Sequence, residues 1–353
     1  MSVPQTPSTP SAAPSPPSRH RPRVALAMAS EVADAVLPPA RRRALAEACE
    51  LVHPEALTEF GSPRSRQVLA AVDLLVTGWG CPPLDAAALA AAPRLRAVVH
   101  TAGSVRGHVT EACWERGLEV SSAAAANALP VAEYTVAMIL LTGKRVLERA
   151  RRYRRTRRRE DWLGTGTAVG NYRRTVGVVS ASLVGRRVIE LLRPHDMTVL
   201  LYDPYVSEAE AAALGVRAVS LPELFATSDT VSVHTPLLPA TRGLVSRELL
   251  GSMRRDAVLI NTARGAVVDQ AALTELLLAG RIRAVLDVTD PEVPPPDHPL
   301  WDCENVLLTP HLAGSQGNEL QRLAQAAIDE VTRWASGDGF AHPVRRERLA
   351  FTA

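Results

Sequence analysis

The stretch Thr175–Pro204, TVGVVSASLVGRRVIELLRPHDMTVLLYDP, constrains the chain more than any other. An apolar β-branched run, Val176–Val179, leads into a turn of small residues. Val184, Val188, Leu191 and Leu192 follow at helical spacing, and a second apolar run, Val199–Tyr202, ends on Asp203. Strand, tight turn, helix, strand and terminal carboxylate within about 30 residues is the order of a dinucleotide-binding βαβ unit. In such a unit the pyrophosphate sits at the helix N-terminus, where backbone N–H groups and the helix dipole favour an anion. The terminal acid takes the ribose hydroxyls. The glycine fingerprint G-x-G-x-x-G is degenerate, however: it reads Ser180-Ala181-Ser182-Leu183-Val184-Gly185, and only the third glycine is kept. Function therefore has to be read from the rest of the chain.

A length of 353 residues suggests two domains, each with its own core. A hydrophobic share of 46% with 22% charged residues is that of a soluble globular protein. The net charge of +3 implies no general attraction to nucleic acid. The apolar run Val131–Thr142 contains Glu133 and is too short to span a bilayer, and the N-terminus lacks the apolar segment of a secretory signal. Cys49, Cys81, Cys113 and Cys303 have no metal-ligand or paired spacing, so no metal site is expected and the thiols read as reduced, cytoplasmic ones.

Residues 1–22 are rich in Pro and Ser and bury nothing, which predicts a disordered tail. From Arg23 onward short apolar runs (Val24–Met28, Leu74–Val76, Ala97–Val99, Leu118–Val120) alternate with helical stretches such as Arg41–Glu50 and Ala86–Ala92. That alternation predicts an α/β, doubly wound, mostly parallel sheet. Gly-Trp-Gly around Trp79 and the turn His100–Ser104 each follow a strand, where open α/β sheets bind ligands. Asn127 to about Arg151 reads as one long apolar helix that joins domains or subunits. It runs into an arginine cluster, Arg149–Arg159, read as a solvated helix end in preference to a nucleic-acid patch. Apolar runs at Thr230–His234, Ala257–Ile260, Ala284–Val288 and Val306–Leu308 predict a second doubly wound domain, and the amphipathic helix Asn318–Trp334 is expected to pack back on the first.

Three blocks that follow strands carry the chemistry: Asn261–Gly265, Asp287–Glu292 and Thr309–Gly314. They bring an Arg, a Glu and a His to the ends of successive strands, a set sufficient for reversible carbonyl reduction. Arg264 can hold a carboxylate in a bidentate grip and polarise the neighbouring carbonyl. His311 can give a proton to the developing alkoxide, while Glu292 orients the ring and stabilises its charged form.

Several blocks resemble the D-isomer-specific 2-hydroxyacid dehydrogenases. They are Leu129–Leu141 (LPVAEYTVAMILL), His234–Gly243 (HTPLLPATRG), Leu259–Asp269 (LINTARGAVVD), Val285–Trp301 (VLDVTDPEVPPPDHPLW) and Asn305–Gly314 (NVLLTPHLAG). The resemblance spans Arg23 to about Val344. It implies two Rossmann-like parallel-sheet domains, a substrate domain of residues 23–126 and 313–345 and an inserted NAD-binding domain of residues 127–312, with a tail at 346–353. It implies that Arg264, Glu292 and His311 are catalytic, and that backbone N–H groups of Gly103, Ser104 and Val105 bind the substrate carboxylate. The implied cofactor contacts are Ser182, Leu183, Val184, Gly185, Asp203, His234, Thr235, Pro236, Thr241, Thr262, Ala263, Asp287, His311 and Gly314. A carboxylate at Asp203 repels a 2′-phosphate, so NAD is expected over NADP. The implied partners are a small 2-oxo or 2-hydroxy acid and a second copy of the chain in a homodimer, with neither membrane nor nucleic acid.

The departures from the family pattern are local. Ser180 fits its turn if its φ is negative, whereas the Ser182 side chain either crowds the phosphates or donates to them. Leu183 stands where a basic residue is common, with Arg186 and Arg187 as partial replacements, and Thr289 stands where an aromatic residue is usual. A second reading, a nucleotide-sensing or scaffold protein that keeps the fold and has lost turnover, rests on this altered turn alone.

Overall fold

A computed structural model describes residues 21–159, 161, 166 and 169–349. The tail expected at 1–22 thus lies outside the described residues apart from Arg21 and Pro22, and the tail at 346–353 is described only to 349, where Arg346–Leu349 form a helical turn. Two parallel sheets organise the rest. The first contains β1 (Arg23–Ala27), β2 (Glu50–Leu51), β3 (Leu74–Thr77), β4 (Ala97–His100) and β5 (Glu119–Ser122) in the order β2-β1-β3-β4-β5. The second contains β6 (Thr175–Val179), β7 (Thr198–Tyr202), β8 (Arg217–Ala218), β9 (Thr230–Val233), β10 (Val258–Asn261), β11 (Arg283–Leu286) and β12 (Val306–Leu308), ordered β12-β11-β10-β9-β6-β7-β8. Strand order reverses between β1 and β3 and between β6 and β9, and such switch points open a crevice at the carboxyl ends of the strands.

The inner strands of both sheets are buried on both faces, so they are mainly apolar runs without alternation. In β1, Val24 and Leu26 join the core on one face and Ala25 and Ala27 the core on the other. The closing helix Leu320–Ser336 packs Leu323, Ala324, Ala327 and Val331 into the first of these cores, returning the chain to the first sheet as its amphipathic pattern predicts.

The long helix differs from its expectation. It is two helices, a connecting helix Ala124–Gly143 and an arginine-rich helix Val146–Thr156. The break falls at Arg145, which adopts φ 53° and pairs with Asp256 at 3.2 Å. Gly143 ends the first helix hard against Asn171, where a Cβ would lie 1.9 Å from Oδ1. The connecting helix also starts earlier than the apolar run suggests, and it is long and apolar enough, by length and composition, to cross a membrane. In the fold its Ala132, Val136 and Ile139 pack against β6, β10 and the helix Leu183–Leu192. The arginine-rich helix buries no residue; Arg155 pairs with Glu304 at 3.0 Å, and Arg151 donates to the Glu304 carbonyl.

Candidate active site

Register aligns the second sheet's carboxyl edge. Tyr202, Val179, Val233, Asn261, Leu286 and Leu308 lie in one row across six neighbouring strands. The next residue in each chain, Asp203, Ser180, His234, Thr262, Asp287 and Thr309, therefore stands at the rim of one crevice. Asp203, His234, Thr262 and Asp287 among the predicted residues stand at that rim, and the others lie in the loops and the helix that follow it.

At the β6 turn, Ser180 adopts φ +80°, so the expectation of a negative φ is overturned. The left-handed conformation that glycine usually supplies is kept, and a local hydrogen bond supports it: the Ser180 hydroxyl donates to Asp203 Oδ2 at 3.2 Å. Ala181 N–H donates to the same oxygen at 2.8 Å, and Tyr205 N–H to Asp203 Oδ1 at 2.8 Å. Ser182 does not take the course of donating to a phosphate. Its hydroxyl donates to the His234 carbonyl at 2.9 Å and accepts from Gly185 N–H at 3.3 Å, capping the helix Leu183–Leu192. Gly185 is required by close approach, since a Cβ there would lie 2.0 Å from the Ser180 carbonyl oxygen. Arg186 donates to the Ala181 carbonyl and so lies against the turn, whereas Arg187 pairs with Glu190. Leu183 is exposed.

The donor set fits a dinucleotide. Among the described residues the N–H groups of Leu183 and Val184, in the first turn of that helix, have no acceptor, and they face the crevice end of the dipole. The Asp203 carboxylate has spent three of its roughly four acceptor positions and keeps one for a ribose hydroxyl. The His234 side chain turns inward to Ser232 at 2.9 Å, and burial pushes its pKa down to about 3, so the ring is neutral and only its backbone lies at the turn. Thr235 is buried with its hydroxyl toward the Val179 carbonyl, and Thr241 closes the loop by donating to the Pro236 carbonyl at 2.6 Å.

The three chemical loops interlock. Asn261 folds the first, donating to the Arg264 carbonyl and accepting from Ala263 N–H, both at 3.0 Å. Gly265 then meets the second loop so closely that a Cβ would lie 2.0 Å from the Thr289 carbonyl carbon. Thr289, buried, has its hydroxyl 2.8 Å from the carbonyls of both Pro291 and Glu292, closing the loop that carries Glu292. Glu292 Oε1 lies 2.6 Å from His311 Nδ1, with both side chains about half exposed and His311 at φ 51°. Asp287 does not open into the crevice as expected for a residue facing the nicotinamide. Its buried carboxylate accepts from Thr309 Oγ1 at 2.6 Å, from Leu312 N–H at 2.9 Å and from Ala313 N–H at 2.9 Å, and so shapes the loop around His311.

On the first sheet, Thr101 N–H donates to the Thr77 carbonyl, and Val105 is buried in the core, fixing both ends of the loop Thr101–Val105. Among the described residues the N–H groups of Gly103, Ser104 and Val105 have no acceptor. Beneath the loop Thr77 Oγ1 is 3.0 Å from both His100 Nδ1 and His108 Nε2, and burial lowers those histidines to about 3 and about 4. Asn127, at the start of the connecting helix, links the two sheets' loops. Its Oδ1 accepts from Ser315 N–H at 3.0 Å, and its amide lies near both Gly103 and Gly314. Sequence reasoning missed Asn127 as a site residue, although it placed the start of the long helix there, two residues before the block Leu129–Leu141. It also read the helix that carries Tyr134 and Thr135 simply as apolar; their hydroxyls within that run were the available signal.

Residues 136–313 match the family described as D-isomer specific 2-hydroxyacid dehydrogenase, NAD binding domain. D-3-phosphoglycerate dehydrogenase of Mycobacterium tuberculosis is 34% identical over 257 residues, covering 72% of this chain and 48% of that protein. The chain thus spans about half the length of the phosphoglycerate dehydrogenases it matches. Glyoxylate reductase of Korarchaeum cryptofilum is 34% identical over 260 residues, covering 72% of this chain and 78% of the relative. Among solved structures, D-lactate dehydrogenase from Aquifex aeolicus, complexed with NAD and lactic acid, superposes with a TM-score of 0.68 at 25% identity, over 90% of this chain and 96% of that one. With its two parallel sheets, and with Arg264, Glu292 and His311 in the loops that follow three adjacent strands, the chain belongs to the D-isomer-specific 2-hydroxyacid dehydrogenase family.

Proposed function

We propose that the protein is an NAD-dependent oxidoreductase that interconverts a small 2-oxo acid and its D-2-hydroxy acid. The observation that carries this reading is the placement of Arg264, Glu292 and His311 beyond three adjacent strand ends, with Glu292 in hydrogen-bond contact with His311 Nδ1. A bound nicotinamide dinucleotide would supply or take up the hydride; Leu183 and Val184 N–H groups would hold its pyrophosphate and Asp203 a ribose hydroxyl, which favours NAD over NADP. Arg264 and the free N–H groups of Gly103, Ser104 and Val105 grip the substrate carboxylate. With Nδ1 committed to Glu292, His311 uses Nε2 to give a proton to the carbonyl oxygen in reduction and to take it back in oxidation.

Residues 23–126 with 313–345 serve as the substrate domain and 127–312 as the cofactor domain, a division supported by the return of the closing helix to the first sheet. A homodimer in the cytoplasm, with no membrane or nucleic-acid partner, completes the reading. The turning of Arg151 and Arg155 onto Glu304 supports the solvated reading of the arginine cluster.

The test is NADH and NADPH oxidation with a panel of 2-oxo acids. The wild type is expected to turn over at least one acid with NADH preferred, and His311→Ala to lose about 10²–10⁴-fold in kcat, the range of a general acid–base group. NADH binding by fluorescence titration should survive in that variant. No turnover with any acid, or full activity in His311→Ala, would overturn the proposal.

A further inference from the structure

One turn of the connecting helix reaches two of the three chemical loops. Tyr134 OH lies 2.9 Å from Thr309 Oγ1, and Thr309 Oγ1 lies 2.6 Å from Asp287 Oδ1. A carboxylate only accepts, so the Thr309 proton goes to Asp287 and Tyr134 must donate to Thr309. The next residue makes the companion contact. Thr135 Oγ1 donates to the Val131 carbonyl at 2.8 Å, so in its 3.2 Å contact with Thr262 Oγ1 it accepts, and Thr262 donates. Thr262 is two residues from Arg264 and Thr309 two residues from His311; Thr135 and Thr262 are buried, and Tyr134 and Thr309 are half-buried, so a lost partner leaves a poorly hydrated polar group behind.

We infer that Tyr134 and Thr135 are positioning residues: Tyr134 sets the loop of His311 through Thr309 and Asp287, and Thr135 sets the loop of Arg264 through Thr262. The inference rests on the proposed function, because it assigns the proton step to one loop and the carboxylate grip to the other. Both hydroxyls stand on the helix that leads from the first sheet into the second, downstream of Asn127, whose amide lies near Gly103 and Gly314 and accepts from Ser315 N–H. The helix is thereby the common reference against which the proton donor and the substrate anchor are aligned. Two neighbouring positions should therefore carry different kinetic signatures, which a general loss of packing does not produce.

The test compares Tyr134→Phe, Thr135→Val and Thr135→Ser in steady-state assays, with amide hydrogen exchange followed in the same proteins. Tyr134→Phe should lower kcat about fivefold, the equivalent of one lost hydrogen bond, with KM for the 2-oxo acid within about twofold. Thr135→Val should raise that KM about fivefold with kcat nearly unchanged, and Thr135→Ser should restore it. Exchange at the Leu312 and Ala313 amides should quicken in Tyr134→Phe and stay at the wild-type rate in Thr135→Val. Equal kinetic losses in both variants, or unchanged exchange at Leu312 and Ala313 in Tyr134→Phe, would overturn the inference. A wild type that turns over no 2-oxo acid would instead defeat the parent reading, and exchange alone would then decide whether the helix sets the loops.

Discussion

The two halves of the second sheet's rim reach order by different means. Around β6, β7 and β9, single polar side chains bond to nearby groups: Ser180 to the Asp203 carboxylate, Ser182 to the His234 carbonyl, His234 to the Ser232 hydroxyl. Around β10, β11 and β12, order comes from loop against loop: Gly265 on Thr289, Asp287 on the amides of Leu312 and Ala313, Glu292 on His311. The first half tolerates substitution, because each lost glycine has been met by a hydroxyl within reach of a local partner. The second half has no such freedom, because each contact belongs to two loops at once.

The sharpest way to break that contrast is to add one methyl group to each half. In Gly265→Ala the new Cβ would meet the Thr289–Asp290 peptide at 2.0–2.6 Å, displacing the loops of Arg264 and Glu292 together. Misplacement by about 1 Å can cost about a hundredfold in rate, so kcat/KM should fall by that order while NADH affinity changes little. Gly185→Ala meets the Ser180 carbonyl at 2.0 Å and should act in the opposite sense, weakening NADH binding with kcat at saturating cofactor largely kept. Each change overpacks a tight site and should destabilise by about 1–3 kcal/mol. Steady-state kinetics beside a NADH titration separates the two. The contrast fails if Gly265→Ala lowers NADH affinity as much as Gly185→Ala does.

That division also explains what was legible in the sequence. Strand–helix alternation is a pattern of apolar residues, and it located both sheets and the closing helix because burial on both faces leaves no competing signal. The placement of Arg264, Glu292 and His311 beyond neighbouring strand ends was legible because their blocks follow strands directly. The break at Arg145 was not, since nothing in the run up to Arg151 marks a left-handed residue, and the contact behind Gly143 comes from Asn171, distant in sequence. Nor was the inward turn of Asp287, because residue type does not distinguish a carboxylate that meets a ligand from one that holds its own loop. Ser180 was misjudged for a physical reason: a hydroxyl bonded to Asp203 supports a left-handed φ that steric argument alone disfavours.

Histidines repeat the contrast on a wider scale. His311 is half exposed and bonded to a carboxylate, whereas His100, His108 and His234 are buried, each bonded to a hydroxyl. Burial depresses those three from 6.5 to about 3, about 4 and about 3. The unfolded chain thus binds more protons than the folded one between these values and 6.5. Stability is full above about pH 6.5 and falls as the pH drops toward 4 and then 3, by up to roughly 1.4 kcal/mol per pH unit for each ring. His100 and His108 share Thr77, so they should fail together. The urea midpoint is expected to decline steadily from pH 6.5 to 5, and His234→Gln to flatten that decline. A midpoint that stays level over this range would mean that the rings are not held neutral.

The smallest effects lie in the altered turn itself, where they decide whether the serines are defects or replacements. Ser182→Ala removes a helix cap and should cost about 1 kcal/mol, yet leave NADH affinity nearly unchanged, because the hydroxyl proton is committed to the His234 carbonyl. Ser180 is the finer case. Ser180→Ala keeps the left-handed backbone and loses the bond to Asp203, so it should be destabilised by about 1 kcal/mol. Ser180→Gly loses the same bond but also the steric cost of φ +80°, about 1–2 kcal/mol, offset by the greater freedom of glycine in the unfolded chain. Glycine should therefore lie close to the wild type and alanine below both in thermal or urea unfolding. If alanine instead matches the wild type, the hydroxyl does not hold the turn, and the tolerance of this half of the rim must come from the backbone alone.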